Sequence, residues 1–350
     1  MKDKIFTKPF VRGVSVAVPK ERVILKDLKF EKTNNEEIIK VTGIHEVRCA
    51  PKDKMLTDYC ICAAENLFRE LDFDKSKIDG IVFATTLGDY ITPGNGYIVQ
   101  ERLNLSDECI VIDINQMCAG YVYGLFQAFM LIQNGYCQNV LVCAGDLLSK
   151  GINPKDKSFK MIMGDAGAVS IVSARNFESE SAFSFINDGK SLKAIYAPAG
   201  GRLMPIQAGV TDKEILDKNG NVHTLQDIYM DGLEVMTFVM YAAPETIDKV
   251  LKIIDWNIDD VNLFAFHQAN RAMIESLRNL LDLPAEKVPI CVKNYGNVAA
   301  ATIPLTLCLK NTPNRKNLEH VILCAFGSGM TCGAVALNLN DTYFCTIHEL

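Results

Sequence analysis

Cys118 is the residue of this chain whose surroundings most clearly suggest chemistry. It lies in the sequence DINQMCAG, residues 113–120, after the apolar β-branched run 110–114 and before the long apolar segment 121–132. This pattern predicts a junction between a strand and a helix. The unpaired N–H groups at the start of a helix favour a thiolate, which is the nucleophilic form of cysteine. Without further partners, the same residue could be a small core side chain.

Three features of the second half of the chain could complete a cysteine-based active site. His267 follows the strand-like run 261–266, and Asn297 stands at a similar position before the small-residue segment 298–304. The glycine-bearing turn 326–333 follows the last long strand and is suited to pointing backbone N–H groups into a cavity. Ligands usually bind at such strand ends in α/β sheets.

Each of these features also has a purely structural interpretation. An isolated histidine such as His267 is commonly a hydrogen-bonded core residue, and Asn297 could serve only as a helix N-cap. The turn at Gly327 could be ordinary loop geometry. The segment 163–168 lacks the glycine spacing of phosphate-binding loops, so we interpret it as structural. Only the combination of these residues, in this order, favours catalysis.

The composition limits which functions these residues can have. The chain has 350 residues, of which 49% are hydrophobic and 22% charged, with a net charge of −6 and a pI near 5.5. This balance is typical of a soluble globular protein and argues against a nucleic-acid partner, which requires a basic surface. Twelve cysteines are scattered without a CxxC pair, so we expect buried thiols rather than disulfides or a metal site.

Targeting and membrane segments are not expected from the sequence. The first residues, MKDK, do not resemble the apolar region of a signal peptide. The longest apolar run, 117–132, is too short to span a bilayer comfortably. We therefore expect a cytoplasmic location and no membrane association.

Strand-like and helical segments alternate along the chain, which predicts an α/β architecture with covered sheets. Strands are expected at 78–86, 110–114, 139–146, 261–267 and 320–327. The second half repeats the pattern of the first, so we predict an internal duplication with halves at residues 1–174 and 175–350. The segment 199–232 between them is rich in glycine and polar residues, and it either covers a site or is a surface excursion without function.

The candidate residues belong to a set of motifs that follow one another along the chain. The set comprises Thr42-Gly43-Ile44 followed by Arg48, Thr92-Pro93 followed by Gln100, the segments 115–120 and 163–168, His267-Gln268-Ala269-Asn270, Gly296-Asn297 with Ala299-Ala300, and the loop at Gly327. In this order they resemble the thiolase superfamily, and specifically its β-ketoacyl-acyl carrier protein synthase III branch, over essentially the whole chain. The resemblance implies a thiolase-like, five-layered αβαβα fold of two similar halves, a homodimer, and a catalytic triad of Cys118, His267 and Asn297.

The resemblance also implies a two-stage reaction. The Cys118 thiolate would take an acyl group from a thioester, while the backbone N–H groups of Cys118 and Ser328 form an oxyanion hole. His267 and Asn297 would then donate hydrogen bonds to the carbonyl of a malonyl-type thioester, which loses CO₂ and attacks the acyl-cysteine. Asn270 would contact the substrate. The substrates would be thioesters of acyl carrier protein or coenzyme A, and no metal or redox cofactor is implied.

Several positions depart from the pattern of the housekeeping members of this family. Glu37 and Val41 stand where those members carry a Trp and an Arg that grip the adenine end of coenzyme A. Leu233 replaces an Asn of the pantetheine tunnel, and Thr237 replaces a Lys associated with carrier-protein docking. Ser328 stands where the family usually has Gly. The triad is therefore intact beside a missing coenzyme A clamp.

An intact triad with altered substrate contacts predicts a condensing acyltransferase whose acyl chain arrives on a carrier protein. We expect it to act in secondary metabolism or surface-polysaccharide modification rather than in primary fatty-acid initiation. Two alternatives stay open: acyl transfer to an oxygen or nitrogen nucleophile on the same fold, and a non-catalytic partner subunit of a heterodimeric synthase. Asn297 argues against the first, since such relatives often carry an acidic group there. The retained triad argues against the second.

Overall fold

The computed structural model describes residues 5–30, 33–175, 179–217, 220–309 and 317–350. The strands are β1 (Ile5–Phe6), β2 (Pro9–Val18), β3 (Arg22–Ile24), β4 (Glu46–Arg48), β5 (Gly80–Ala84), β6 (Ile110–Ile114), β7 (Asn139–Leu147), β8 (Asp165–Ala174), β9 (Ser181–Asn187), β10 (Ile195–Tyr196), β11 (Ile215–Leu216), β12 (Val222–His223), β13 (Tyr229–Met230), β14 (Leu263–Phe266), β15 (Val321–Gly327), β16 (Thr331–Leu337), β17 (Tyr343–Phe344) and β18 (His348–Glu349). The helices are α1 (Asn35–Thr42), α2 (Leu56–Glu70), α3 (Asn95–Leu103), α4 (Gly120–Gln133), α5 (Lys157–Lys160), α6 (Gly232–Ile254), α7 (Arg271–Leu280) and α8 (Thr302–Cys308).

Two sheets contain most of these strands. The first has the order β17-β2-β8-β7-β5-β6, with β18 also paired to β2, and the second has the order β1-β9-β16-β15-β14. In the first sheet β5 runs parallel to β6 and β7, whereas β8 runs antiparallel to β7 and β2. In the second sheet β14 and β15 are parallel. Because parallel strands end at the same edge of a sheet, His267 after β14 and the turn after β15 lie close together.

Five layers of helix and sheet follow from the way side chains alternate along the strands. In β15 the odd-numbered residues from Val321 to Ala325 pack in a core between the two sheets, and the even-numbered residues from Ile322 to Phe326 pack on the opposite face. Helices α4 and α8 fill the central core. Helices α6 and α7 cover the outer face of the second sheet, and α2 and α3 cover that of the first. The predicted αβαβα order is confirmed.

The ends of the chain cross between the two sheets. Strand β1 pairs with β9 in the second sheet, whereas β17 and β18 pair with β2 in the first. The sequence pattern does not predict this exchange, because strands of two residues carry too little periodicity to be recognised. Strand β6 also differs from a fully buried strand, since it lies at the edge of its sheet and Asp113 on it is exposed.

Two similar turns meet in the central layer. Residues Met117–Ala119 form a 3₁₀ turn that leads into α4, and Ala299–Ala301 form one that leads into α8. The first residue of each turn has a left-handed backbone, with φ of 46° at Met117 and 49° at Ala299. A Cβ placed on Gly120 would lie 3.1 Å from the Cβ of Ala84 and 3.4 Å from the Cβ of Ala300, so the start of α4 is closely packed against β5 and in contact range of the second turn. The cysteine turn and the asparagine segment are therefore neighbours.

The polar segment 199–232 lies outside both large sheets. Its strands β11 and β12 pair only with each other, while β13 pairs with β10. Many of its residues line a cavity of about 800 Å³, whose wall also includes Leu148 and Phe159. Residues 218 and 219 lie outside the described part of the chain. Across the described ranges, none of the helices combines the length and apolarity needed to cross a bilayer.

Candidate active site

A cavity of about 140 Å³ brings the predicted triad together, since its wall includes Cys118, His267 and Asn297. Asn270 and Gly327 also line it. The remaining wall is mostly apolar, with Met117, Phe159, Ile162, Met163, Ile195, Met230, Val235, Met273, Phe326 and Met330. Such a small apolar cavity with a few polar groups is typical of a site where water must be excluded from a reaction.

Cys118 occupies the middle of the turn that precedes α4, and its side chain is half-buried. Burial raises the pKa of the Cys118 thiol well above its ordinary value, and the negative charge of Asp146 raises it further. A hydrogen bond from its own backbone N–H has the opposite effect. The expectation of a resting thiolate is therefore wrong for this cavity, because desolvation outweighs the favourable N–H groups at the helix start. The resting residue is a neutral thiol.

His267 is fixed on three sides directly after β14. Its backbone N–H donates to the carbonyl of Cys324 at 2.8 Å, and its Nδ1 lies 2.7 Å from Oγ1 of Thr302. The ring of Phe326 meets the imidazole edge-on, with centroids 5.1 Å apart. The side chain is buried, and this burial lowers the pKa of His267 to about 3. The imidazole is consequently neutral at physiological pH.

Asn297 is held by Ile162 and by Gly164 of the segment 163–168, whose predicted role is structural. Its backbone N–H donates to Ile162 and its carbonyl accepts from Gly164, both at 2.9 Å. The side-chain Oδ1 accepts a hydrogen bond of 2.9 Å from the backbone N–H of Ala299. Because the amide oxygen is engaged there, the amide NH₂ group is the part of Asn297 available to the cavity.

The other predicted site residues lie at or near this cavity. Asn270 lines it and also caps α7, since its Oδ1 accepts a hydrogen bond of 2.9 Å from Met273. Ser328 is half-buried and follows the lining residue Gly327, but it is not part of the wall itself. At the positions of the missing clamp, Glu37 and Val41 are exposed on α1.

Two residues near the reacting groups are not singled out by the sequence. Thr302 contacts the His267 ring, and Phe159 lines both this cavity and the larger one of about 800 Å³ beside it. Thr302 is the single polar residue in the small apolar segment 298–304, which only weakly indicates a function for it. Phe159 has no signal, because aromatic residues in short helices are common in protein cores.

Comparison with known proteins assigns this chain to a family. Residues 112–189 match the family model described as 3-oxoacyl-[acyl-carrier-protein] synthase III, and residues 251–339 match the model of its C-terminal part. A β-ketoacyl-[acyl-carrier-protein] synthase III of Staphylococcus saprophyticus is 31% identical over 334 residues, covering 93% of this chain and 97% of the relative. The chain belongs to the β-ketoacyl-acyl carrier protein synthase III family.

Further relatives of this family agree over nearly the full length. A putative 3-oxoacyl-[acyl-carrier-protein] synthase 3 of Campylobacter jejuni is 29% identical over 344 residues, covering 97% of this chain and 96% of the relative. A crystal structure of a 3-oxoacyl-(acyl-carrier protein) synthase from Burkholderia xenovorans matches with a TM-score of 0.89 at 29% identity, covering 99% of this chain and 98% of that one. This synthase III family member has the thiolase-like fold and is an acyltransferase of the condensing type.

Proposed function

We propose that this protein forms an acyl-cysteine at Cys118 and condenses it with a malonyl-type thioester, releasing CO₂. The observation that supports this most directly is the single apolar cavity whose wall includes the thiol of Cys118, the imidazole of His267 and the amide of Asn297. These groups supply a nucleophile, a proton-transferring base and a hydrogen-bond donor, which are the functions that the two stages require.

In the first stage, the sulfur of Cys118 attacks the carbonyl carbon of an acyl thioester and the thiol of the donor leaves. The backbone N–H groups of Cys118 and Ser328 hold the negative oxygen of the tetrahedral intermediate. Since the resting thiol is neutral, its proton has to be removed as the new C–S bond forms. The neutral imidazole of His267 in the same cavity is the group suited to accept it.

In the second stage, a malonyl-type thioester enters and its carbonyl oxygen receives hydrogen bonds from His267 and Asn297. The donor of Asn297 is its NH₂ group, because Ala299 already occupies the amide oxygen. Loss of CO₂ leaves an enolate whose negative oxygen these donors stabilise, and its carbon attacks the acyl group on Cys118. The product is a β-ketoacyl thioester, and Asn270 at the cavity wall would contact the substrates.

We propose an acyl carrier protein, rather than coenzyme A, as the carrier of the acyl chain. The positions of the family's adenine clamp are the exposed Glu37 and Val41, neither of which offers a cation for phosphates. We further propose a specialised pathway, a cytoplasmic location and a homodimer of chains that each consist of the halves 1–174 and 175–350. Exposed apolar side chains at Leu87, Ile91 and Tyr97 support an interface between subunits.

Product analysis with two substrates tests this proposal. The protein is incubated with an acyl thioester and an isotopically labelled malonyl thioester, each on acyl carrier protein and, in parallel, on coenzyme A. We expect one CO₂ and one β-ketoacyl thioester per acyl group consumed, with faster turnover on the carrier protein. A variant Cys118→Ser is the control that loses the loading stage. Transfer of the acyl group to an oxygen or nitrogen acceptor without CO₂ would contradict condensation, and an inert protein would indicate a non-catalytic subunit.

A further inference from the structure

The hydroxyl of Thr302 links His267 to a strained turn of the backbone. Oγ1 of Thr302 lies 2.7 Å from Nδ1 of the imidazole and 2.9 Å from the carbonyl oxygen of Ala299. Thr302 is buried, so no water competes for its hydroxyl. Ala299 has φ of 49°, a left-handed conformation that is unfavourable for an alanine. Such strain persists only where the surrounding structure requires it, and here it orients the carbonyl that receives the hydroxyl.

The number of protons in this chain of contacts determines the tautomer of the imidazole. The Ala299 carbonyl oxygen only accepts, and it takes the backbone N–H of Thr302 with one lone pair, so we assign the single hydroxyl proton of Thr302 to its second lone pair. The contact between Thr302 and Nδ1 must then use a proton that belongs to the imidazole. The Ala299 carbonyl also lies within hydrogen-bonding range of the imidazole and favours a proton on it. Both neighbours are therefore satisfied when Nδ1 carries the proton, and this assignment leaves the Nε2 lone pair free.

We propose that Thr302 is a positioning residue that keeps His267 in the Nδ1–H tautomer, so that Nε2 accepts the proton of Cys118. This inference rests on the proposed function. Among the described residues, no hydrogen-bond partner of Nε2 is found, while His267 lines the same cavity as Cys118. Within the part of the chain that the structure describes, no carboxylate acts on the imidazole to fix its tautomer, and the Thr302 hydroxyl takes that role.

With this tautomer, one proton moves from Cys118 to Nε2 in the first stage and returns to Cys118 in the second. As the sulfur of Cys118 bonds to the acyl carbon, its proton moves to Nε2 and the donor leaves as a thiolate, which takes a proton from solvent. The imidazolium, which burial in the cavity disfavours, is stabilised in the second stage by the carboxylate of the malonyl-type thioester and then by the enolate formed when CO₂ departs. Its Nε2–H donates to the thioester carbonyl. When the enolate carbon bonds to the acyl carbon, the sulfur of Cys118 leaves and recovers the proton from Nε2.

Nitrogen NMR on the full chain tests the tautomer without depending on activity. The protein is labelled with ¹⁵N-histidine, and a His267→Asn variant identifies the signals of His267 by their loss. We expect a protonated Nδ1 and an unprotonated Nε2 in the resting protein at neutral pH. In Thr302→Val, which keeps the shape but removes the hydroxyl, we expect a substantial Nε2–H population. A resting protein with Nε2–H would overturn the inference.

Single-turnover acylation of Cys118 measures the functional consequence. We expect Thr302→Val to be acylated about 10- to 100-fold more slowly, as is typical for the loss of a proton acceptor, and Thr302→Ser to recover to within about threefold of the wild type. Thr246→Val is the matched control, because Thr246 is a buried threonine whose hydroxyl bonds the Ala242 carbonyl within α6 and which does not line this cavity. Equal acylation rates and tautomers in wild type and Thr302→Val would refute the role of Thr302. A wild type that is never acylated refutes the proposed function instead, while the tautomer assignment is judged by NMR alone.

Discussion

The backbone nitrogen of Cys118 lies 3.1 Å from the position that a Cβ would take on Gly327. The same Cβ would lie 3.0 Å from the carbonyl oxygen of Gln116 and 3.1 Å from the nitrogen of Ala119. The glycine turn after β15 is thus pressed directly onto the backbone turn that presents the nucleophile. Since all three neighbours are backbone atoms, none of them can move aside by changing a side-chain rotamer.

Gly327→Ala is expected to impair loading of Cys118. The added methyl group should push the two turns apart, displacing the proposed oxyanion hole and lowering the rate of acylation by a factor on the order of 100. The free energy of unfolding should fall by about 1–3 kcal/mol. Acylation followed by mass spectrometry and urea unfolding measure the two effects. The matched control is Gly189→Ala, because no atom lies within 4 Å of a Cβ there. An unchanged acylation rate in Gly327→Ala would argue against this contact as a determinant of the site.

Asn297→Asp should separate the two stages of the reaction. The aspartate keeps an oxygen for the Ala299 N–H, but it replaces the donating NH₂ group with an acceptor. We therefore expect decarboxylation of the malonyl thioester to slow by about 100- to 1,000-fold, while acylation of Cys118 changes only a few-fold. Release of labelled CO₂ and the mass of the acyl-enzyme report the two stages independently. Equal losses in both would indicate that Asn297 only supports the shape of the cavity.

Asp146→Asn should make Cys118 more reactive above neutral pH. Burial raises the pKa of Asp146 to about 6, so its charge opposes the Cys118 thiolate only above that pH. The asparagine keeps the acceptor for Thr85 and Thr86, both of which bond Oδ1. At pH 8 we expect alkylation of Cys118 by iodoacetamide to be about three- to tenfold faster in the variant. The difference should disappear at pH 5, where Asp146 is protonated, and a difference that persists there would contradict this explanation.

The same carboxyl group should make stability depend on pH. Because the folded-state pKa of Asp146 lies above its ordinary value, the buried charge destabilises the folded protein above pH 6, and this penalty vanishes as pH falls below about 4. The wild type should therefore gain about 2.4 kcal/mol relative to Asp146→Asn between pH 7 and pH 4. Urea unfolding of both proteins across this range measures the difference. The contributions of all other carboxyl groups to the pH dependence cancel, because both proteins contain them. A constant difference would show that Asp146 has an ordinary pKa.

Gly164→Ala should destabilise the fold, because a Cβ there would lie 2.2 Å from the carbonyl oxygen of Tyr295. Gly164 also donates its backbone N–H to Asn297, so the clash cannot be relieved without moving the site. We expect the free energy of unfolding to fall by about 3 kcal/mol or more. Thermal or urea unfolding, with Gly189→Ala as the control, measures the loss. A fully stable variant would show that the segment 163–168 is less closely packed than the structure indicates.

Much of the fold follows from local patterns in the sequence. The apolar run 110–114 coincides with β6, and the segment 121–132 lies within α4, because uninterrupted apolar runs specify buried or half-buried elements. The strand ends that carry His267 and Gly327 were also predictable. What periodicity does not provide is pairing across the chain, such as β1 with β9, since that depends on packing between distant segments.

The sequence predicts which residues form the candidate site, but not their protonation states. Motif order selected Cys118, His267 and Asn297, and the structure places all three at one cavity. The neutral state of the thiol could not be predicted, because it arises from the combined burial by many side chains and from Asp146, whose charge acts across the fold. The contact of Thr302 with His267 joins residues 35 positions apart and likewise has no local signature.

A pulse–chase measurement on the acyl-enzyme tests the central claim most directly. The protein is loaded with an acyl thioester, freed of excess donor, mapped by peptide mass spectrometry, and then given a malonyl thioester. We predict one acyl group per chain, located on Cys118 alone among the twelve cysteines, and its release as a β-ketoacyl thioester together with one CO₂. Acylation at another cysteine, or an acyl group on Cys118 that persists after the malonyl thioester is added, would contradict the account.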